Sequence, residues 1–163
     1  MLEALRAGRP LRKLMVARTA AGTGGLRAVI AEARRRGVPV HEVTPAVLAR
    51  LATTRTPQGV IAYAAVRDTV DVDTLLEIAR SRGEAPFVLV LDGIEDPGNL
   101  GAILRAADAT GVHGVVIPRW RAAGLTPAVA TASAGAVEHV AVAAAASPAQ
   151  VVERLKRAGL WVV

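Results

Sequence analysis

Short apolar runs alternate with amphipathic helical stretches along nearly the whole chain, and this alternation most limits the folds open to it. Segments 12–19, 38–43, 58–66, 87–94, 114–118, "VEHVAVAAA" (137–145) and the terminal "LWVV" (160–163) read as strands. Segments 24–37, 148–159, a helix across 126–137, and helices from Thr44, around Leu75 and from Asn99 lie between them. The first half forms a small alternating unit of strands and helices; from residue 87 onward the alternation predicts a parallel sheet with helices covering both faces, a doubly wound α/β arrangement. The run "FVLVLDGI" (87–94) lacks polar alternation, the pattern of a central parallel strand covered on both faces. Only four aromatics occur in 163 residues, so the core must be packed from Val, Leu, Ile and Ala. The acidic stretch at 68–85 marks a change of character. It divides the chain into a domain over 1–67, a linker helix region over 68–85 and a domain over 86–163.

Local signals sharpen this outline. On the helix over 24–37, Leu26, Val29, Ile30 and Ala33 share one face and Gly37 is the stop. Thr44 followed by Pro45 reads as an N-cap and first helical position. In "DGIEDPGNLGAILRAADATG" (92–111), Asp96, Pro97 and Gly98 turn the chain at the carboxyl end of a strand, where open α/β sheets bind ligands. Asn99 then fits as N-cap, and Leu100, Ile103, Leu104 and Ala107 form the packing stripe. Arg105 lies off that stripe, near the helix N-terminus, where a cation opposes the dipole. It is either a functional side chain or a surface arginine with a distant partner.

The net charge of +6 is carried mainly by arginine and points to an anionic partner, RNA or DNA first, although coding bias alone also enriches arginine. Arg9, Arg12, Lys13 and Arg18, around the first strand, are the RNA-contact candidates. Arg34, Arg35 and Arg36 cannot share one helix face and read instead as a solvated helix end. The chain has no cysteine, which removes thiolate chemistry and suits a reducing, cytoplasmic setting. His41, His113 and His139 lack ligand spacing, so no metal is expected. "AAGTGG" (20–25) fails the dinucleotide fingerprint, whose third glycine falls on Arg27, and reads as a flexible connection. No apolar stretch approaches the roughly 20 residues of a membrane span, and Glu3 and Arg6 argue against a signal peptide.

The segment "LVLDGIEDPGNLGAILRAADATGVHGVVIP" (89–118) closely resembles the first signature motif of the SpoU/TrmH-type family of SPOUT RNA 2′-O-ribose methyltransferases. "LEALRAGRPLRKLMVA" (2–17) and "TPQGVIA" (56–62) resemble the substrate-binding domain of the branch that modifies a 23S ribosomal RNA guanosine. "LTPAVATASAGAVEHVAV" (125–142) resembles the segment after the first motif. The resemblance implies a small L30e-like α/β RNA-binding domain followed by the first part of a SPOUT (α/β-knot, Rossmann-like) parallel-sheet domain. It also implies S-adenosyl-L-methionine as cofactor, 23S ribosomal RNA as partner, no membrane, and a homodimer formed through the knot. Asn99 and Arg105 are the active-site pair by the same resemblance. An arginine is a poor base because its pKa is so high, so Arg105 suits a clamp on a ribose or phosphate oxygen, with proton removal unassigned. Asn99 then orients Arg105 or the loop, or only caps the helix. The family's second and third motifs, which carry most of the cofactor pocket and the knot, have no match here. The chain is therefore expected to be a fragment of a methyltransferase unable to hold the methyl donor alone; the alternative is a short, non-catalytic RNA-binding protein.

Overall fold

The computed structural model describes residues 1–52, 58–65 and 67–163, which form two units, Met1–Ala65 and Val66–Val163. In the first, α1 (Leu2–Arg6), β1 (Leu11–Ala17), α2 (Gly24–Arg35), β2 (Val40–Val43), α3 (Pro45–Leu51) and β3 (Val60–Ala64) follow in order. The sheet runs β2-β1-β3, with β2 parallel to β1 and β3 antiparallel to it. Leu14 and Val16 of β1 pack against Leu26, Val29, Ile30 and Ala33 of α2 and against Leu5 of α1. The four α2 residues are those expected from helical spacing. Gly37, at φ 70°, lets the Val38 N–H reach back to the Ala33 carbonyl at 2.9 Å and closes the helix end. At α3, the Val47 N–H donates to Thr44 Oγ1 at 3.4 Å and Pro45 opens the helix, as the sequence indicates.

The second unit contains α4 (Val72–Arg82), β4 (Val88–Val90), α5 (Pro97–Ala109), β5 (Gly114–Pro118), α6 (Pro127–Ala132), a 3-10 turn (Ala136–Glu138), β6 (Val142–Ala145) and α7 (Pro148–Arg157). Its sheet, β4-β5-β6, is wholly parallel. Val115 and Ile117 of β5 face a core shared with Leu100, Leu104 and Val129, whereas Val116 faces Leu75, Leu76, Val151 and Leu155. Helices thus cover both faces, the doubly wound pattern that the alternation predicts. Residues 68–85 supply α4, and Leu75, fully buried, packs into this unit's core.

Several expectations change. The central strand among the described residues is β5; β4 is only three residues long and pairs with β5 alone. Its apolar run reports coverage of its two faces, since Leu89 packs into one core and Val88 and Val90 into the other. Hydrophobicity carries no information about which edge is paired. "LWVV" forms no strand: Leu160 packs against the core, but Trp161 and Val163 are exposed and no ladder partner exists among the described residues. The helix expected over 126–137 breaks after Ala132, where Ala134 and Gly135 take φ of 50° and 103°. Thr56 and Pro57 of the segment over 56–62 lie outside the described residues.

Candidate functional site

The loop leaving the carboxyl end of β4 ends in a helix cap at Asp96. The Asp96 carboxylate accepts from the Asn99 N–H at 2.7 Å, and Pro97 occupies the first helical position. Asp96, not Asn99, is therefore the N-cap. Proline fixes the helix start early because its missing N–H costs nothing there. This correction removes the capping role from Asn99 and leaves its exposed side chain for other work.

Helix α5 buries Leu100, Gly101, Leu104 and Ala107, with Ile103 half-buried. Gly101 meets the end of α6 so closely that a Cβ there would lie 2.4 Å from the Ala132 Cβ and 2.8 Å from the Ser133 nitrogen. Ser133 is itself fixed: it is buried, its hydroxyl donates to the Ala130 carbonyl and accepts from the Val137 N–H. One turn beyond Gly101, Arg105 is exposed and makes no hydrogen bond or ion pair among the described residues. Six helical steps separate it from Asn99, about 9 Å along the axis and about 120° around it. No hydrogen bond joins them, so in this structure Asn99 does not orient Arg105.

The loop after β5 lies beside the loop after β4, because the Ala123 N–H donates to the Ile94 carbonyl at 2.8 Å. It carries Trp120, 63% exposed, with the Arg119 guanidinium 5.6 Å from its ring centroid. Arg121 follows at φ 54°. Sequence reasoning missed this trio, although a tryptophan between two arginines in a chain with four aromatics was a visible signal. It also missed Gly101, whose lack of a Cβ permits the helix contact.

In the first unit the basic candidates do not behave alike. Arg9 is half-buried and donates to the Ala65 carbonyl at 2.9 Å. Lys13 lies over the ring of Tyr63, its cross-strand partner, at 4.6 Å. Arg12 and Arg18 are exposed. The arginine run also divides, because Arg35 donates twice to Glu32 (2.9 and 2.6 Å) and Arg36 donates to Glu32 (2.5 Å) and to the Arg6 carbonyl (3.2 Å). Hydrogen bonds from Arg35, then Arg36, hold the Glu32 carboxyl well below the usual range, at about 2. Charge is distributed unevenly: residues 1–65 hold eleven Lys and Arg against three Asp and Glu, a net of +8, and residues 66–163 hold nine against eleven, a net of −2.

Buried His113 serves the fold. Its Nδ1 accepts from the Phe87 N–H at 3.0 Å and its Nε2 lies 2.9 Å from Glu84 Oε2. No cluster of three metal-ligating side chains occurs among the described residues. One groove among them lies on α2 and β2, and another at the amino end of β4 between Leu76, Pro86 and Trp161. Neither touches the loops after β4 and β5. No helix among them is long and apolar enough to cross a membrane.

Residues 86–163 match the model of the SpoU rRNA methylase family, and residues 1–68 that of RNA 2′-O ribose methyltransferase substrate binding. The chain is 42% identical over 163 residues to a TrmH family tRNA/rRNA methyltransferase of Bacillus subtilis, covering 100% of this chain and 65% of that one. Among solved structures it is similar to an AdoMet-bound rRNA methyltransferase from Sinorhizobium meliloti, with TM-score 0.70 and 26% identity over 96% of this chain and 54% of that one. It is also similar to an RNA 2′-O ribose methyltransferase, with TM-score 0.68 and 29% identity over 97% of this chain and 56% of that one. The chain therefore spans just under two thirds of this curated relative's length and just over half of these solved chains.

Proposed function

Because this chain belongs to the SpoU/TrmH family of RNA methylases, we propose that it holds RNA for transfer of a methyl group to a ribose 2′-hydroxyl. The observation that carries this reading is Arg105, an exposed guanidinium without a partner among the described residues, on the helix that follows the carboxyl end of β4. A fork of five N–H donors suits a phosphate oxygen or a ribose oxygen that gains negative charge as its proton leaves. Arg105 clamps and aligns the acceptor, and Asn99, released from capping, contacts RNA separately from it. The excess positive charge of residues 1–65 supports that unit as the holder of the polyanion, with Arg12, Lys13 and Arg18 among its contacts and Arg9 bracing the chain at Ala65. S-adenosyl-L-methionine supplies the methyl as a sulfonium in this reading. Its pocket is assigned to residues other than those described, so this chain alone binds the donor weakly.

The finer reading names 23S ribosomal RNA as the substrate, a guanosine as the nucleotide, a homodimer as the working form and the cytoplasm as the setting. Mapping ribose methylation in a strain lacking the gene tests it. Loss of one 2′-O-methylguanosine from 23S RNA is expected, and loss confined to transfer RNA would refute the ribosomal assignment. Neither groove described above includes Arg105, which favours a second reading, an RNA-binding protein without catalysis. Calorimetry tests the placement of the donor pocket: tight binding of S-adenosylmethionine by these 163 residues would refute both the view that the pocket lies elsewhere and the non-catalytic reading.

A further inference from the structure

Glu32 draws Arg35 and Arg36 to one side of α2 and leaves Arg34 outside the cluster. Arg34 shares a different face with Arg27, Ile30 and Ala31, at helical spacings of three, four and seven residues. The two arginines lie about 10.5 Å apart along the axis and within about 20° of one direction, with an apolar step between them. Ala21 and Glu42, the latter on edge strand β2, complete a groove of about 250 Å³. Arg27, Arg34 and Glu42 are exposed, and none makes a hydrogen bond or ion pair among the described residues. Two unpartnered guanidiniums flanking an apolar floor, in a unit of net charge +8, complement a phosphodiester chain. The single carboxylate works against that match unless it meets N–H donors, because an ionised glutamate only accepts.

We propose that this groove binds one unpaired nucleotide of RNA. Arg27 and Arg34 contact the phosphates on either side, Ile30 and Ala31 lie under the base, and Glu42 accepts from its Watson–Crick edge. Guanine is the base that fits, since it presents two adjacent N–H donors to one carboxylate. Duplex RNA is excluded from this mode because its Watson–Crick edges are already paired and its major groove is too deep and narrow for side chains to read. The inference deepens the RNA-binding reading above and rests on it.

The test is fluorescence anisotropy of the full chain with labelled single-stranded oligo-uridines carrying a central guanosine, adenosine or cytidine, each titrated with salt. Tightest binding to the guanosine strand is expected. Arg27→Ala with Arg34→Ala should weaken it about tenfold and flatten the log–log salt slope by about 1.4, the share of two single-strand phosphates. Arg35→Ala with Arg50→Ala removes the same charge away from the groove and should have a clearly smaller effect; an equal effect would overturn the site in favour of net charge alone. Glu42→Gln should abolish the guanosine preference without changing the slope, whereas uniform tightening on all three strands would overturn the proposed readout. Circular dichroism confirms that each surface variant is folded. If the native chain binds RNA with a slope indifferent to Arg27 and Arg34, the groove proposal fails and the RNA-binding reading stands. Absence of binding to every strand refutes both.

Discussion

Replacing Gly101 with alanine should destabilise the second unit by about 2 kcal/mol. An added Cβ would fall 2.4 Å from the Ala132 Cβ, 2.7 Å from the Ala132 carbonyl carbon and 2.8 Å from the Ser133 nitrogen. Carbon atoms prefer separations of about 3.5–4.0 Å, so the helices must part by roughly 1 Å. The obstructing atoms are a Cβ and backbone rather than the tip of a flexible side chain. They cannot yield locally, because Ser133 is hydrogen-bonded to Ala130 and Val137 and Val129 is fully buried. Overpacking of this kind costs about 1–3 kcal/mol, and a rigid contact takes the upper end. Alanine recovers about 1 kcal/mol of helix propensity, which leaves the net near 2. For a unit of this size that lowers the melting temperature by roughly 8–16 °C. Urea and thermal unfolding followed by circular dichroism measure it, with Gly22→Ala as control, since nothing lies within 4 Å of that position. A Gly101→Ala variant as stable as the native chain, or more so, would show that α5 and the end of α6 do not approach as described.

Asp96→Ala should cost about 1 kcal/mol through loss of the cap, and Asn99→Ala should stay within about 0.5 kcal/mol. The reverse order in urea melts would restore Asn99 as the capping residue. Arg105→Ala should leave stability within about 0.5 kcal/mol, as for an exposed side chain without partners among the described residues, while the corresponding change in a complete homologous methyltransferase should abolish methylation. Unfolding of the variant would instead make the arginine structural. Glu32 should remain ionised to about pH 2 in carbon-detected NMR titration. Its folded value lies below its ordinary 4.5, so its contribution to stability is present above pH 4.5 and fades as the pH falls toward 2. Arg35→Ala should move that midpoint upward, and an unmoved midpoint would mean the pairing is not the cause.

Much of this architecture was legible in the sequence because burial follows period. The face of α2, the cap at Thr44 and the exposure of Arg105 all come from residue spacing alone. Asn99 was misassigned as a cap because two competent caps stand three residues apart, and Pro97 between them decides the matter. The rank of β4 in the sheet was not legible, since pairing is a property of neighbours rather than of a strand's own side chains. Neither was the break at Ala134 and Gly135, where a local turn prevails over helical composition. In the candidate site, the division of Arg34 from Arg35 and Arg36 was encoded by Glu32, three and four residues upstream. The contact at Gly101 depends on a helix thirty residues further along and carries no local signature.

The division of charge between the two units has a kinetic consequence. Long-range attraction sets how fast a polyanion is captured and fades with ionic strength, so the rate of encounter belongs to residues 1–65 and should fall steeply as salt rises. The second unit, slightly negative, exerts no such pull, and in the proposed function it meets RNA at the effective concentration that tethering provides. In the proposed function, capture speed and chemical step are then separate quantities, and charge can be added to or removed from the first unit without altering Asn99 or Arg105 in the second.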